Sequence, residues 1–559
     1  MDIRNNAPEI DALRQGMDWD CEDIERYQIL IETVYGDSHP GSTHLDRLAK
    51  MADDGIKYRG AKPSHFTATD ICDGIAQGHD GMNYSLASRE IIAAMCEIHA
   101  KANGFDGAVF ISSCDKAVPA HLMAMARLNL PSVFVPGGTM PLAADGFTLE
   151  QIGNVNARFK TGELTREQFT QYQKDACTSC GACQFMGTAC TMQVMAEALG
   201  LALPHSALMP ANMKYINNMA KAAGKTVVEL VKKNLHARDI LTEKAFHNAV
   251  VIHGAIGGST NALLHIPVIA REAGLEVKAD LFDELHRKVP FLVDTRPVGK
   301  YSTDMFWYAG GVPALMMKLK DLLYLDALTV TGKTVGENLE YIEKSGLLEQ
   351  YKGYLCNFGV TPEDVIHEIS PQGAIAVLKG NIAKSGAVVK YTGLPKNMRL
   401  FRGKAKVFDD ELSARKAILE KRIKPGDCII IRYCGPRGSG MPEMFYTTES
   451  LCASSELVAT TAILTDGRFS GASKGPCIGH ISPEAAQGGE IGLVRDGDII
   501  EIDIENRSLN AIGVDFEKRR EENKNIINEK TAENKTECGG ILSLYRKYAS
   551  NAIDGGYMS

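Results

Sequence analysis

Along the first half of the chain, short runs of β-branched and aromatic residues alternate with longer stretches of helical period. Residues 88–102 place Ile91, Ile92, Met95 and Ile98 on one broad face, as an amphipathic helix requires. Residues 108–111 (AVFI) form an apolar run of strand length, followed by a loop over 112–116. Residues 120–128 return to helical period and residues 132–135 to a strand-like run. Strand, helix, strand in this order predicts a βαβ unit, and hence a parallel sheet. Residues 250–252 followed by GAIGGSTN (254–261) are read as the same theme of strand, glycine loop and helix.

Around residues 371–393 the texture changes. Segments 405–408, 428–433, 460–464 and 499–504 read as strands, separated by the turn signals KPGD (424–427) and RDGD (495–498). The expected architecture is α/β: an N-terminal parallel-sheet α/β domain over 1–369 and a C-terminal β-rich, barrel-like domain over 370–559. The polar run 517–535 reads as a solvated helix or loop.

Composition narrows the function classes. A chain of 559 residues exceeds what one core supports, and 45% hydrophobic with 23% charged residues is the mixture of a folded globular protein. A net charge of −8 gives no basic footprint for nucleic acid or an anionic membrane surface. The N-terminal MDIRNNAPEIDALRQG has no apolar signal core, and no stretch nears the roughly 20 apolar residues of a membrane span. A cytoplasmic location is expected. There, the 14 cysteines read as metal ligands, nucleophiles or small core residues rather than disulfides.

Three cysteine clusters carry candidate chemistry. Cys177, Cys180 and Cys183 are spaced closely enough to hold zinc or an iron–sulfur cluster, or to be small buried residues beside a helix start. Cys114-Asp115-Lys116 falls at the predicted carboxyl end of a strand, the edge where open α/β sheets bind ligands. A thiolate beside a carboxylate there suits soft iron and hard magnesium; Lys116 pairing with Asp115 is the plainer alternative. Cys72-Asp73 repeats the dipeptide ahead of His79, itself more often a structural histidine than a ligand. In Ser259-Thr260-Asn261, the backbone N–H groups of a glycine-led helix start could hold a carboxylate or phosphate. Ser470, in TDGRFSG (465–471), is a nucleophile or base candidate outside any G-x-S-x-G context.

Together, CDGIAQGHDGMNYSLASRE (72–90), SCDK (113–116), GACQFMGTACTMQ (181–193), GGSTN (257–261), GSGMPEM (438–444), TDGRFSG (465–471) and IGHISPEA (478–485) resemble the dihydroxy-acid/6-phosphogluconate dehydratase family. Residues 183–208 and 309–334 look closest to its sugar-acid (xylonate-type) branch. The resemblance implies a hydro-lyase that uses an iron–sulfur cluster as Lewis acid together with Mg²⁺. It converts an aldonate such as D-xylonate to the 2-keto-3-deoxy acid. Branched-chain dihydroxy acids or 6-phosphogluconate are the alternative substrates. By the same resemblance Cys114 and Cys183 match cluster ligands, and Asp73, Asp115 and Glu443 match magnesium ligands. Lys116 matches a lysine carbamylated in several members, and Ser470 matches the catalytic base. Members with a 2Fe-2S cluster carry a cysteine where this chain has Gly41. Cys72 is therefore expected as the third thiolate, of a 4Fe-4S or a 2Fe-2S cluster. A homodimer or homotetramer is implied. The alternatives of another class are an electron-transfer iron–sulfur protein and a zinc-stabilised binding protein. His79 and His480 compete with Ser470 as base, since imidazole needs far less pKa tuning than a hydroxyl.

Overall fold

The computed structural model describes residues 6–143, 146–160, 162–392, 394, 396–452, 454–471, 475–522 and 539–559. Near the N-terminus, β1 (Gln28–Thr33), β2 (Lys62–Thr67), β3 (Gly107–Ser112) and β4 (Ser132–Pro136) form one sheet in the order β2-β1-β3-β4. Every pairing is parallel, with Ile31 opposite Val109 and Phe110 opposite Phe134. Strands β1, β3 and β4 are buried at every residue, which is why they read as unbroken apolar runs rather than alternating ones. The βαβ unit is present: β3, the helix Ala117–Leu128, then β4.

Two expectations fail here. The helix Ser85–Asn103 buries Ile92, Ala93, Cys96 and Ala100; of the predicted face Ile92 is buried and Met95 packs against the core, but Ile98 is 63% exposed, so the buried face is rotated by roughly a third of a turn. Small residues define it, because the neighbouring helix Ala117–Leu128 packs closely against it. Residues 250–252 are not a strand; they belong to the helix Glu243–Ala255. That helix is buried on nearly every side, so it carries no amphipathic period, and a short apolar run cannot then be told from a strand. GGSTN therefore joins two helices, the second being Ala262–Glu272.

Strands β5 (Phe291–Val293) and β6 (Ile366–Ser370) make a small antiparallel pair. A second sheet follows. It contains β7 (Ile375–Leu378), β8 (Gly386–Lys390), β9 (Leu400–Phe408), β10 (Asp427–Ile431), β12 (Ala462–Thr465), β14 (Cys477–Ser482), β15 (Ile499–Asp503) and β16 (Ser508–Ile512). A separate parallel pair is formed by β11 (Glu443–Met444) and β13 (Arg468–Phe469). The eight strands run in the order β16-β15-β9-β10-β12-β14-β8-β7. The two edges nearly close on each other: Lys379 N–H donates to Arg507 O at 2.9 Å and Leu509 N–H to Lys379 O at 3.0 Å. Leu378, Val389, Cys428, Ile430, Leu464, Ile500 and Leu509 fill the interior.

The last residues return to the first domain. Buried Arg89 donates to the carbonyls of Gly555 and Gly556, and Tyr545 Oη to Gly556 O. Of the polar run 517–535, residues through Glu522 form the helix Phe516–Glu522, and 523–535 lie outside the described residues. No helix among the described residues is long and apolar enough to cross a membrane.

Candidate active site

In a parallel sheet all carboxyl ends face one edge, so the loops leaving β1 to β4 converge. The loop after β1 brings His39 and Gly41, and that after β2 brings Asp70, Cys72 and Asp73. The loop after β3 brings Cys114, Asp115 and Lys116. The loop after β4 bonds through Thr139 to the carbonyls of Ala182 and Cys183, holding the GAC turn beside them.

A soft donor set forms first. A ring nitrogen of His39 and the Sγ atoms of Cys72 and Cys114 lie within 4.8 Å of one another. The hydrogen bond from Cys114 lowers the Cys72 thiol to about 7 despite burial, and the same contact drives Cys114 well up. Cys183 is not part of this close group. Its thiol is pushed well up by burial and by the charges of Cys72 and Asp115 beside it. Cys177 is exposed and Cys180 half-buried.

A hard donor set adjoins it. One carboxylate oxygen each from Asp73, Asp115 and Glu443 lies within 4.8 Å of the others. Lys116 is fully buried; its Nζ stands 4.0 Å from Asp115, the expected ion pair, and makes a closer one with Asp73, donating to Oδ2 at 2.8 Å. Burial would raise Asp73, but Lys116 and Arg468 overrule it and hold the carboxyl at about 2. Asp115 has the opposite fate: burial and its acidic neighbours push it up to about 8. Burial likewise raises Glu443.

Glu443 comes from the second domain, and the β11–β13 register explains its position. Glu443 pairs directly with Arg468, and Ser470 N–H donates to Met444 O at 3.0 Å. Ser470 hydrogen-bonds the Glu443 carboxylate. Gly471 permits the close approach of this turn to the first domain, because a Cβ there would lie 2.7 Å from Gly187 Cα. Ser470 opens on a cavity of about 360 Å³ lined also by Ser259, Thr260, Lys390, Thr392 and His480, with Val298, Val388, Leu394, Val458 and Ala459 as its apolar wall.

The GGSTN residues divide. Ser259 and Thr260 reach the cavity. Asn261 is buried between Thr188, Ser259, Arg468 and Glu443 and is not among the cavity-lining residues. The N–H groups of Gly257, Gly258, Ser259 and Asn261 all bond within the protein, which removes most of the expected anion cradle. The competing bases also separate. His79 is exposed, with Nδ1 accepting from Gly81 N–H and its ring beside Ile75 O, a local cap that is not among the cavity-lining residues. His480 is buried at the cavity wall with neither ring nitrogen hydrogen-bonded, and burial with nearby Arg468 lowers it to about 3, so it is neutral.

Sequence reasoning passed over Arg468 and the His39–Asp70 pair. Arg468 is wholly buried and donates to Glu443 at 2.5 Å, Asp73 at 3.2 Å and Ser85 at 3.0 Å. Its signal was its place inside TDGRFSG, two residues before the singled-out serine.

Two family models match the chain: the dihydroxy-acid/6-phosphogluconate dehydratase N-terminal model over residues 26–338 and the C-terminal model over 363–556. The chain is 42% identical over 554 residues to the dihydroxy-acid dehydratase of Acetivibrio thermocellus, covering 97% of this chain and 96% of that one. It is equally similar to the Halothermothrix orenii dihydroxy-acid dehydratase, at 97% and 96% coverage. Dihydroxy-acid dehydratase 1 of Methanosarcina acetivorans is 42% identical at 94% coverage of both chains.

Proposed function

The chain belongs to the dihydroxy-acid/6-phosphogluconate dehydratase family, and on that premise we propose that it dehydrates a short 2,3-dihydroxy acid with a branched aliphatic tail to the 2-keto acid. The observation that carries this reading is the three-carboxylate group joined, through the Glu443–Ser470 hydrogen bond, to a cavity whose apolar lining includes Val298, Val388, Leu394, Val458 and Ala459. Methyl-bearing side chains suit a methyl-bearing substrate and offer nothing to the extra hydroxyls of an aldonate. The relatives, named dihydroxy-acid dehydratases, support the same choice over the sugar-acid branch.

The donor sets fit both groups the family uses: sulfur and imidazole for an iron–sulfur cluster, clustered carboxylates for Mg²⁺. Cys72, Cys114 and Cys183 would hold the first, and Asp73, Asp115 and Glu443 the second. When bound, these groups supply Lewis acidity, soft toward the departing C3 hydroxyl and hard toward the carboxylate and C2 oxygen. Lys116 lies amid the carboxylates, where a carbamate on Nζ would turn a cation into a further oxygen donor. Ser470, fixed by Glu443 at the cavity wall, takes the C2 proton as an alkoxide; the electron pair released forms the C2–C3 double bond as hydroxide leaves C3. The enol so formed tautomerises to the keto acid, with no net redox change. Ser259, Thr260 and Thr392 face the cavity to orient the acid, with Asn261 bracing Glu443 from behind.

The test is 2-keto acid release from 2,3-dihydroxy-3-methylbutanoate, D-xylonate and 6-phosphogluconate. The branched acid is expected to lead in kcat/KM by about 10-fold or more, the scale of apolar-pocket discrimination. An aldonate in the lead hands the assignment to the sugar-acid reading.

A further inference from the structure

His39 is only 5% exposed, yet neither of its ring nitrogens makes a hydrogen bond. A buried imidazole nitrogen without a partner is costly unless something else occupies it. On its other side Asp70, also buried, places Oδ2 3.4 Å from Nε2. A carboxylate behind one ring nitrogen with the other aimed at soft donors is the arrangement of metal-bound histidines. Nδ1, the nitrogen away from Asp70, lies beside Gly41: a Cβ on Gly41 would stand 3.1 Å from His39 Nδ1 and 3.0 Å from Cys114 Sγ. Glycine thus leaves clear the space between imidazole and thiol.

We propose that His39 is a nitrogen ligand of the iron–sulfur site, joining Cys72 and Cys114 in a mixed donor set and held in orientation by Asp70. This rests on the family reading above. A neutral imidazole donates less charge than a thiolate and raises the potential of its iron. The iron bound by His39 is therefore the more Lewis-acidic one.

The experiment uses the anaerobically reconstituted, one-electron-reduced full-length protein. Pulsed electron paramagnetic resonance is recorded with natural-abundance and with 15N-labelled histidine. Wild type is expected to show a strongly coupled nitrogen that shifts isotopically with the label. His39→Ala should lose that coupling. His39→Ala combined with Gly41→Cys supplies a thiol in the same space, and should keep the iron, lack the nitrogen signal and reduce at a more negative potential. A wild-type cluster with only weakly coupled nitrogen overturns the proposal and leaves the dehydratase reading standing. A wild type that assembles no iron–sulfur chromophore overturns both.

Discussion

Arg468 and Asp73 meet at 3.2 Å across 395 residues of sequence, and through the same guanidinium Asp73 is tied to Glu443. The two domains are thereby joined at the carboxylates themselves, by a cation that balances two of them.

Arg468→Leu should therefore be among the most damaging substitutions in the protein. It leaves buried carboxylates without their partner, which costs about 3–5 kcal/mol. Thermal unfolding of the purified variant should fall by several degrees, with weaker Mg²⁺ binding by isothermal titration. An unchanged melting point would show that the guanidinium does not carry the interface.

Glu443→Gln removes an oxygen charge from the hard donor set and leaves the sulfur set untouched. Turnover should be abolished while the brown colour and iron content persist. Loss of iron together with activity would mean that the two sets are not separate sites.

Ser470→Ala should lower kcat by roughly 10² or more with little change in KM, and slow exchange of the C2 proton with deuterium. His480→Asn is the matched control, since His480 lines the same cavity. Normal turnover in the first and none in the second would move the base to the imidazole.

Separate Cys72→Ser, Cys114→Ser and Cys183→Ser variants should each lose most iron. Cys177→Ser and Cys180→Ser, on the more exposed side of the turn, should retain it. Iron analysis after anaerobic purification decides this, and full iron in Cys72→Ser would exclude its assignment as a thiolate ligand.

Glu197 gives a pH signature outside the two donor sets. It is buried and accepts from the N–H groups of His205 and Ala207, yet burial raises it from 4.5 to about 7. Its folded pKa exceeds the unfolded one, so its contribution to stability is complete below about pH 4.5 and is lost as pH rises through about 7. Denaturant unfolding across that window should show wild-type stability declining relative to Glu197→Gln. Parallel curves would remove the assignment.

Residue order alone determined the parallel sheet of the first domain. The runs at 108–111 and 132–135 and the helix between them are local, and a parallel pair with a short crossover follows from them. It also determined which residue types could act, because Cys-Asp dipeptides and TDGRFSG are contiguous. What it could not decide was which groups touch. Helix Glu243–Ala255 lost its period to burial on nearly all sides, and the inner face of Ser85–Asn103 was set by the helix packed on it. Asp73 and Asp115 are both aspartates beside a cysteine, yet one is held at about 2 and the other pushed to about 8. Two cations reach the first, and burial dominates the second. The environment of Asp73 is built by Lys116 and Arg468, 43 and 395 residues further along the chain, and electrostatics in a buried site depends on distance through space, which only the folded chain defines.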